Sequence, residues 1–339
     1  MMIKPPRPFF LILALVLSAC GSSATPLPAE PTALPTPTLT PSATPFTPTS
    51  TPLPSATATP PPPIERVLIV SFDGLRPDAL IPAKMENLLA LIQSGAYSLS
   101  AQTIMPSVTL PSHASMLVGT CPYKHIARWN EYVPENGYAM GTDIFDLAHS
   151  FGLQTVMIVG KQKLTQITEP ASLDFSAWID ETDKIADIGS IETVSIQQAK
   201  RGFNLMFLHF PDGDLAGHEY GWMSGMQLRA YRNNDKTFGK VLETLKQNGL
   251  YDSTIIIVTA DHGGHDTTHG YNVAEDMTIP WVISGPRVKP GALTTQIHTM
   301  DTAATAAFVM GLPLPQEWDG VPVYEAFGLP VIKTSQPCP

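Results

Sequence analysis

The stretch TIIIVTADHGGHDTTHG, Thr254 to Gly270, sets the frame for the rest of the chain. Its β-branched apolar run reads as a strand covered on both faces. It drives straight into Asp261 and His262, and His269 follows eight residues after Asp261. Open α/β sheets place their ligands at the C-terminal ends of such strands. A carboxylate beside imidazoles, with no cysteine, suits a hard or borderline divalent metal. The same residues admit a plainer reading, in which Asp261 caps the next turn and His262 is a hydrogen-bonded core histidine. The other segments decide between the two.

Outward from this tract the pattern alternates. ERVLIVSFD (65–73), LQTVMIVG (153–160), FNLMFLHFPDGD (203–214) and TIPWVISG (278–285) read as further strands, and the first and third end in aspartate. Helical spacing runs through MENLLALIQSGA (85–96), from Met226 to Asn248 before Gly249, and from Asp301 to Met310. Residues 64–339 number 276, enough for one large core. The repetition of strand and helix predicts an α/β domain, a three-layer α/β/α sandwich with a mostly parallel central sheet. The aperiodic stretch 160–204 is expected as a small cap. The net charge of −10 argues against a nucleic-acid polymer as the main partner.

The N-terminus has a different character. Lys4 and Arg7 precede an apolar run from Phe9 to Leu17, too short to span a bilayer as a mature helix, and then Leu17-Ser18-Ala19-Cys20. That ending resembles the lipobox of bacterial lipoproteins. The resemblance implies a signal peptide over 1–20, lipidation of Cys20, and an extracytoplasmic protein anchored to the membrane through that residue. Residues 21–63 hold fourteen prolines and a single charge, Glu30. Such a segment buries too little apolar surface to offset its ordering entropy. It predicts a disordered stalk, reaching roughly 130 Å as polyproline II at about 3.1 Å per residue, whose composition also permits O-glycosylation. Of three cysteines, Cys121 and Cys338 then remain, as a disulfide or as two free thiols.

Further segments carry chemistry-bearing side chains. Asp73 ends the first strand in Asp-Gly, which is also ordinary turn chemistry. Asp214 and His218 stand four apart in DLAGH, on one face of a helical turn, as a ligand pair or a solvated one. In MPSVTLPSHASMLVGT (105–120), Thr109 begins a short apolar helix. Its hydroxyl faces the end of a helix that favours anions, or serves only as a cap. Lys161 and Lys163 follow a strand and either approach an anionic substrate or sit in a solvated loop.

In order along the chain, these segments resemble the type I phosphodiesterase and nucleotide pyrophosphatase family of the alkaline phosphatase superfamily, from Val67 to about Val323. The resemblance rests on the strand ending FDG with Asp73, and on T-x-P-x-H at Thr109, Pro111 and His113. It continues with D-x-x-G-H-x-x-G at Asp214, Gly217, His218 and Gly221, then Asp261-His262-Gly263, then His269-Gly270-Tyr271, Met277 and Gly285-Pro286. It implies an alkaline-phosphatase-like fold and a phosphoric ester hydrolase. Thr109 would be the nucleophile, forming a threonyl-phosphate, and Asn130 would stabilise the phosphoryl oxygens. Two divalent ions are implied, Zn²⁺ first and Mn²⁺ as the alternative. Asp214, His218 and His269 would hold one; Asp73, Asp261, His262 and the Thr109 hydroxyl would hold the other. His113 is expected behind the ligands, His265 either there or as a polar loop residue, and Lys161 against a small phosphoester substrate bound by a monomer.

The sequence departs from the nucleotide-preferring pattern at Leu110, where an aromatic ring would stack on a base. Tyr220, Trp222, Trp129 and Tyr132 are the aromatic residues available instead. A phosphodiesterase or nucleotide pyrophosphatase is the first reading. A phosphomonoesterase and a phosphonoacetate-hydrolase-like enzyme share the metal set and stand as alternatives. Threonine in place of an oxidisable Cys or Ser argues against a sulfatase. An inactive binding module on a stalk is the alternative of a different class.

Overall fold

In the computed structural model, which describes residues 64–180 and 190–339, the long apolar runs become strands buried on both faces. The proposed signal peptide, Cys20 and the stalk lie outside the described residues. In chain order the elements are β1 (Arg66–Phe72), α1 (Glu86–Ser94), β2 (Ala96–Gln102), α2 (Thr109–Val118), α3 (Pro122–His125), α4 (Ile144–Ser150), β3 (Thr155–Val159), β4 (Phe175–Trp178), α5 (Ile191–Arg201), β5 (Leu205–Phe210), α6 (Asp212–Tyr220), α7 (Gly225–Gln247), β6 (Thr254–Thr259), α8 (Ala274–Met277), β7 (Thr278–Ser284), β8 (Gly291–Ala292) and α9 (Asp301–Val309).

One eight-stranded sheet runs β4-β3-β5-β1-β6-β7-β2-β8. Its pairings are parallel except on the two sides of β7, which alone opposes its neighbours. At the centre, Ile69 of β1 lies between Phe207 of β5 and Ile257 of β6. β-branched residues make up all of β6, and Val67, Ile69 and Val70 of β1, because they pack well on a pleated, covered surface. The helices form two groups: α1, α5 and α6 pack on α7, while α2, α3, α4 and α9 pack on one another. The result is an α/β/α sandwich. Along α7, the buried Tyr231, Phe238, Val241 and Leu245 form one apolar stripe. The helix stops at Asn248 and Gly249, where a φ of +68° suits glycine. From the same helix, the Asp235 carboxylate accepts the free N–H groups of Asn87 and Leu88 at 3.0 Å each, and so caps α1.

The sequence pattern did not reveal β2, β4 or β8. AYSLSAQ in β2 has little apolar content and a register shift between Ser98 and Ala101, and the other two are short edge strands. The described part of 160–204, expected as a cap, contributes to the layers. Its β4 extends the sheet beside β3 and its α5 packs on α7, because Ala177, Ile191 and Val194 have apolar surface to bury. Residues 181–189 of that stretch lie outside the described residues. No helix among the described residues is long and apolar enough to cross a membrane.

The two cysteines left open by the sequence form a disulfide, Cys121–Cys338, with Cα atoms 5.5 Å apart. It ties the end of the chain to the turn between α2 and α3, across 217 residues of sequence. Cys338→Ser is expected to lower the unfolding free energy by about 2–4 kcal/mol through the freedom returned to the unfolded chain. An unchanged denaturation midpoint would contradict that contribution.

Candidate active site

The sheet order itself assembles the site. β3, β5, β1 and β6 are consecutive and parallel, so their C-terminal ends stand side by side, about 4.8 Å from strand to strand. Lys161 follows β3, Asp214 sits in the helix that follows β5, Asp73 follows β1, and Asp261 and His262 follow β6. Thr109 opens α2, and His269 enters from the loop after β6. Asp73, Thr109, Asp261 and His262 are almost wholly buried. Thr109, Asn130, Lys161, Asp214, His218 and His269 line one cleft of about 730 Å³.

The protonation pattern of the histidines follows from their partners. Nδ1 of His262 meets the carbonyl of Gly263 at 2.7 Å, that of His269 the carbonyl of Ser107 at 2.8 Å, and that of His218 the carbonyl of Thr267 at 3.0 Å. A carbonyl only accepts, so each Nδ1 carries the hydrogen and each neutral ring turns an Nε2 lone pair inward. Burial, followed by the neighbouring His269, lowers the His262 pKa to about 4, and burial also lowers that of His269, which keeps both rings neutral.

Those lone pairs converge on carboxylate oxygens and on each other. His218 Nε2 and His269 Nε2 are 3.1 Å apart, and they lie 3.4 and 3.5 Å from Asp214 Oδ1. His262 Nε2 lies 3.2 Å from Asp261 Oδ2 and 3.5 Å from Asp73 Oδ1. Asp73 Oδ1, Asp214 Oδ1 and Asp261 Oδ2 are buried without a hydrogen-bond partner. Acceptors facing acceptors repel unless a cation stands among them. The residues present therefore fit two divalent ions, with donor groups of Asp214, His262 and His269 and of Asp73, Asp261 and His262 each within 4.8 Å of one another. His218 presents its Nε2 to Asp214 and His269 of the first group.

The charges are unevenly shared. Burial works against an ionised Asp73, yet Lys161 and His209 overrule it and hold the carboxyl well below its usual range. Burial and the Asp73 charge push Asp261 well above it. Lys161 Nζ lies 2.7 Å from Asp73 Oδ2, binds Asp214, and donates to Thr109 Oγ1 at 3.3 Å. The Thr109 hydroxyl also faces His262 Nε2 at 3.4 Å. Asn130 Oδ1 accepts the N–H of Leu110 at 2.9 Å, which leaves its amide hydrogens for the cleft.

His113 lies beneath the site, one helical turn after Thr109. Its Nδ1 contacts the Thr109 carbonyl at 2.8 Å and Asp261 Oδ2 at 3.3 Å, and its Nε2 meets Ser71 Oγ at 2.8 Å. His265 does not join this group: its Nδ1 is bound to Asp276 Oδ1 at 2.7 Å, on the far side of the loop. Of the four aromatic residues considered for substrate contact, Tyr132 lines the cleft. Tyr220 faces a neighbouring groove, Trp222 is buried, and the Trp129 indole binds Gln166 at 3.2 Å. The sequence reading missed His209. Its Nδ1 accepts the N–H of Gly160 at 3.2 Å, so Nε2–H donates to Asp73 Oδ2 at 2.9 Å. A histidine inside the otherwise apolar LMFLHF of β5 was the available signal.

The profile of the type I phosphodiesterase / nucleotide pyrophosphatase family matches residues 67–143 and 157–308. Human GPI ethanolamine phosphate transferase 2, catalytic subunit, is 25% identical over 282 residues, covering 77% of this chain and 28% of that protein. Mouse bis(5'-adenosyl)-triphosphatase is 24% identical over 217 residues, covering 58% and 47%. The chain thus spans between about a quarter and a half of these relatives' length. Among solved structures, murine ectonucleotide pyrophosphatase/phosphodiesterase 5 superposes with a TM-score of 0.63 at 15% identity, over 78% of this chain and 99% of that one. With its profile matched across most of the domain, the chain belongs to the type I phosphodiesterase / nucleotide pyrophosphatase family.

Proposed function

We propose that this protein is a metal-dependent phosphoester hydrolase of the phosphodiesterase or nucleotide pyrophosphatase type, acting through a threonyl-phosphate intermediate. The observation that carries this reading is the placement of the Thr109 hydroxyl beside converging, unpartnered carboxylate oxygens and imidazole lone pairs. Asp214, His218 and His269 would hold one ion, and Asp73, Asp261, His262 and Thr109 Oγ1 the other. A nitrogen and oxygen donor set suits Zn²⁺, with Mn²⁺ as the alternative. Bound there, such ions supply the positive charge that lowers a hydroxyl's pKa and offsets charge on phosphoryl oxygens.

The chain's own groups do the rest. Thr109 loses its hydroxyl proton to solvent, and Oγ1 bonds to phosphorus as the bond to the leaving oxygen breaks. The leaving oxygen takes a proton from solvent. Water then attacks phosphorus, the bond to Thr109 Oγ1 breaks, and the hydroxyl is restored. Asn130 donates its amide hydrogens to a phosphoryl oxygen, and Lys161 adds a cation within reach of Oγ1. His113 anchors the Thr109 carbonyl and so fixes the start of α2. The lipobox-like ending at Cys20 and the proline-rich composition of 21–63 support an extracytoplasmic protein anchored to the membrane through Cys20.

A second reading has support in the cleft. Leu110 is fully buried and offers no ring beside the nucleophile, whereas Lys163 adds a second ammonium group to the lining. That favours a compact, doubly anionic substrate, a phosphomonoester or a phosphonate. Aryl diester, aryl monoester, nucleotide pyrophosphate and phosphonoacetate, compared on the 339-residue chain, separate the readings where rates differ by about 10² or more.

Thr109→Ala should keep the fold and lose about 10³-fold or more in turnover, the scale of a lost nucleophile. Near-normal turnover would remove Thr109 from the role. In the chelator-treated chain, Lys161→Met leaves Asp73 and Asp214 without their counter-ion and should cost about 3–5 kcal/mol of stability, a loss that saturating Zn²⁺ reduces. Equal denaturation midpoints before Zn²⁺ is added would contradict this charge balance.

A further inference from the structure

Trp222 stands one residue past the glycine that ends α6, and it is 8% exposed. Its surroundings differ from those of an ordinary core indole. The ring lies against three glycines, each on a different segment of the site: Gly74 after β1, Gly217 within α6, and Gly264 in the loop after β6. A Cβ on Gly264 would come within 2.1 Å of the indole Cε2, and one on Gly217 within 2.9 Å of Cδ2. The three segments are thus packed onto one ring with no room for a side chain between.

The same ring touches both halves of the site. Its Nε1–H donates to the carbonyl of Gly74 at 3.0 Å. Gly74 directly follows Asp73, has a φ of +72°, and donates its own N–H to Asp261 Oδ1 at 3.1 Å. The indole hydrogen bond therefore holds a residue that links the backbone of Asp73 to the Asp261 carboxylate. On its other side the ring packs edge-on against His218, with centroids 5.2 Å apart, and against His269 at 5.7 Å. Its backbone N–H is bound to the carbonyl of Asp266 at 2.6 Å, which ties it to the loop carrying His269.

We infer that Trp222 is a positioning residue that couples the two proposed ion sites, through its N–H to the Asp73–Gly74–Asp261 side and through its ring to the His218 and His269 side. The inference rests on the two-ion reading above. Ring and N–H are separable: Trp222→Phe keeps an aromatic ring against the glycines and imidazoles and removes only the donor, while Trp222→Leu removes both.

The test is calorimetric titration of Zn²⁺ into the chelator-treated 339-residue chain and the two variants, with circular dichroism to verify folding. Two ions should bind the unsubstituted chain. Trp222→Phe should weaken one of the two sites by about tenfold or more, the usual scale for a lost hydrogen bond behind a ligand, and leave the other nearly unchanged. Trp222→Leu should weaken both. A purely structural indole would lower the melting temperature of the metal-free variants and leave both affinities intact, and folded variants with that result overturn the inference alone. An unsubstituted chain that takes up no ion overturns the two-ion reading and this inference with it. A measurement without substitution stands beside these. In the ¹⁵N-indole-labelled chain, at least one of the five tryptophan N–H signals should move when Zn²⁺ is added, and five unmoved signals overturn the coupling.

Discussion

Three carboxylates and three imidazole lone pairs face inward at the C-terminal edge of β5, β1 and β6, and the rest of the site is arranged around that crowding. Buried acceptors without donors are costly, by about 1–3 kcal/mol for each neutral group and more for charged ones. Asp73 Oδ1, Asp214 Oδ1 and Asp261 Oδ2 are all in that condition. Their cost is tolerable only where positive charge can enter. Lys161 supplies one such charge from the chain itself, and two divalent ions would supply the remainder.

The scaffold keeps these groups from relaxing apart. Parallel pairing of β1 with both β5 and β6 fixes the separation of Asp73, Asp214 and Asp261. Backbone carbonyls of Ser107, Gly263 and Thr267 fix the ring orientations of His269, His262 and His218. Behind them, His209, His113 and Tyr231 reach Asp73, Asp261 and the Asp73 carbonyl. Such partners set the tautomer and direction of a ligand, and a metal site depends on them nearly as much as on the ligands.

The parts of this arrangement legible in the sequence were those with local signatures. Asp73 and Asp261 were visible because an apolar strand ended in each. Asp214 and His218 were visible because four residues make a helical turn, and Thr109 because Pro111 and the apolar run marked the start of α2. The less legible parts depend on distant pairing. His209 alternates with apolar neighbours in β5 and becomes recognisable only once β5 lies beside β1. Lys161 reaches Asp73 because β5 alone separates β3 from β1, a spacing set by strand order. Trp222 stood among the aromatic residues available for substrate, with nothing local to set its direction, and it is buried against Gly74, Gly217 and Gly264. The Cys121–Cys338 pairing depends on the path of the whole domain, and the short β4 and β8 are held by their neighbours more than by their own composition.

The central claim is that the cluster at the ends of β5, β1 and β6 holds two cations. Anomalous X-ray scattering at the zinc edge, from crystals of the protein grown with Zn²⁺, tests it directly. The account predicts two peaks, roughly 4 Å apart as in two-ion phosphoryl-transfer sites, one bonded to Asp214, His218 and His269 and the other to Asp73, Asp261 and His262. A cluster with no peak, or zinc bound only elsewhere, would contradict it.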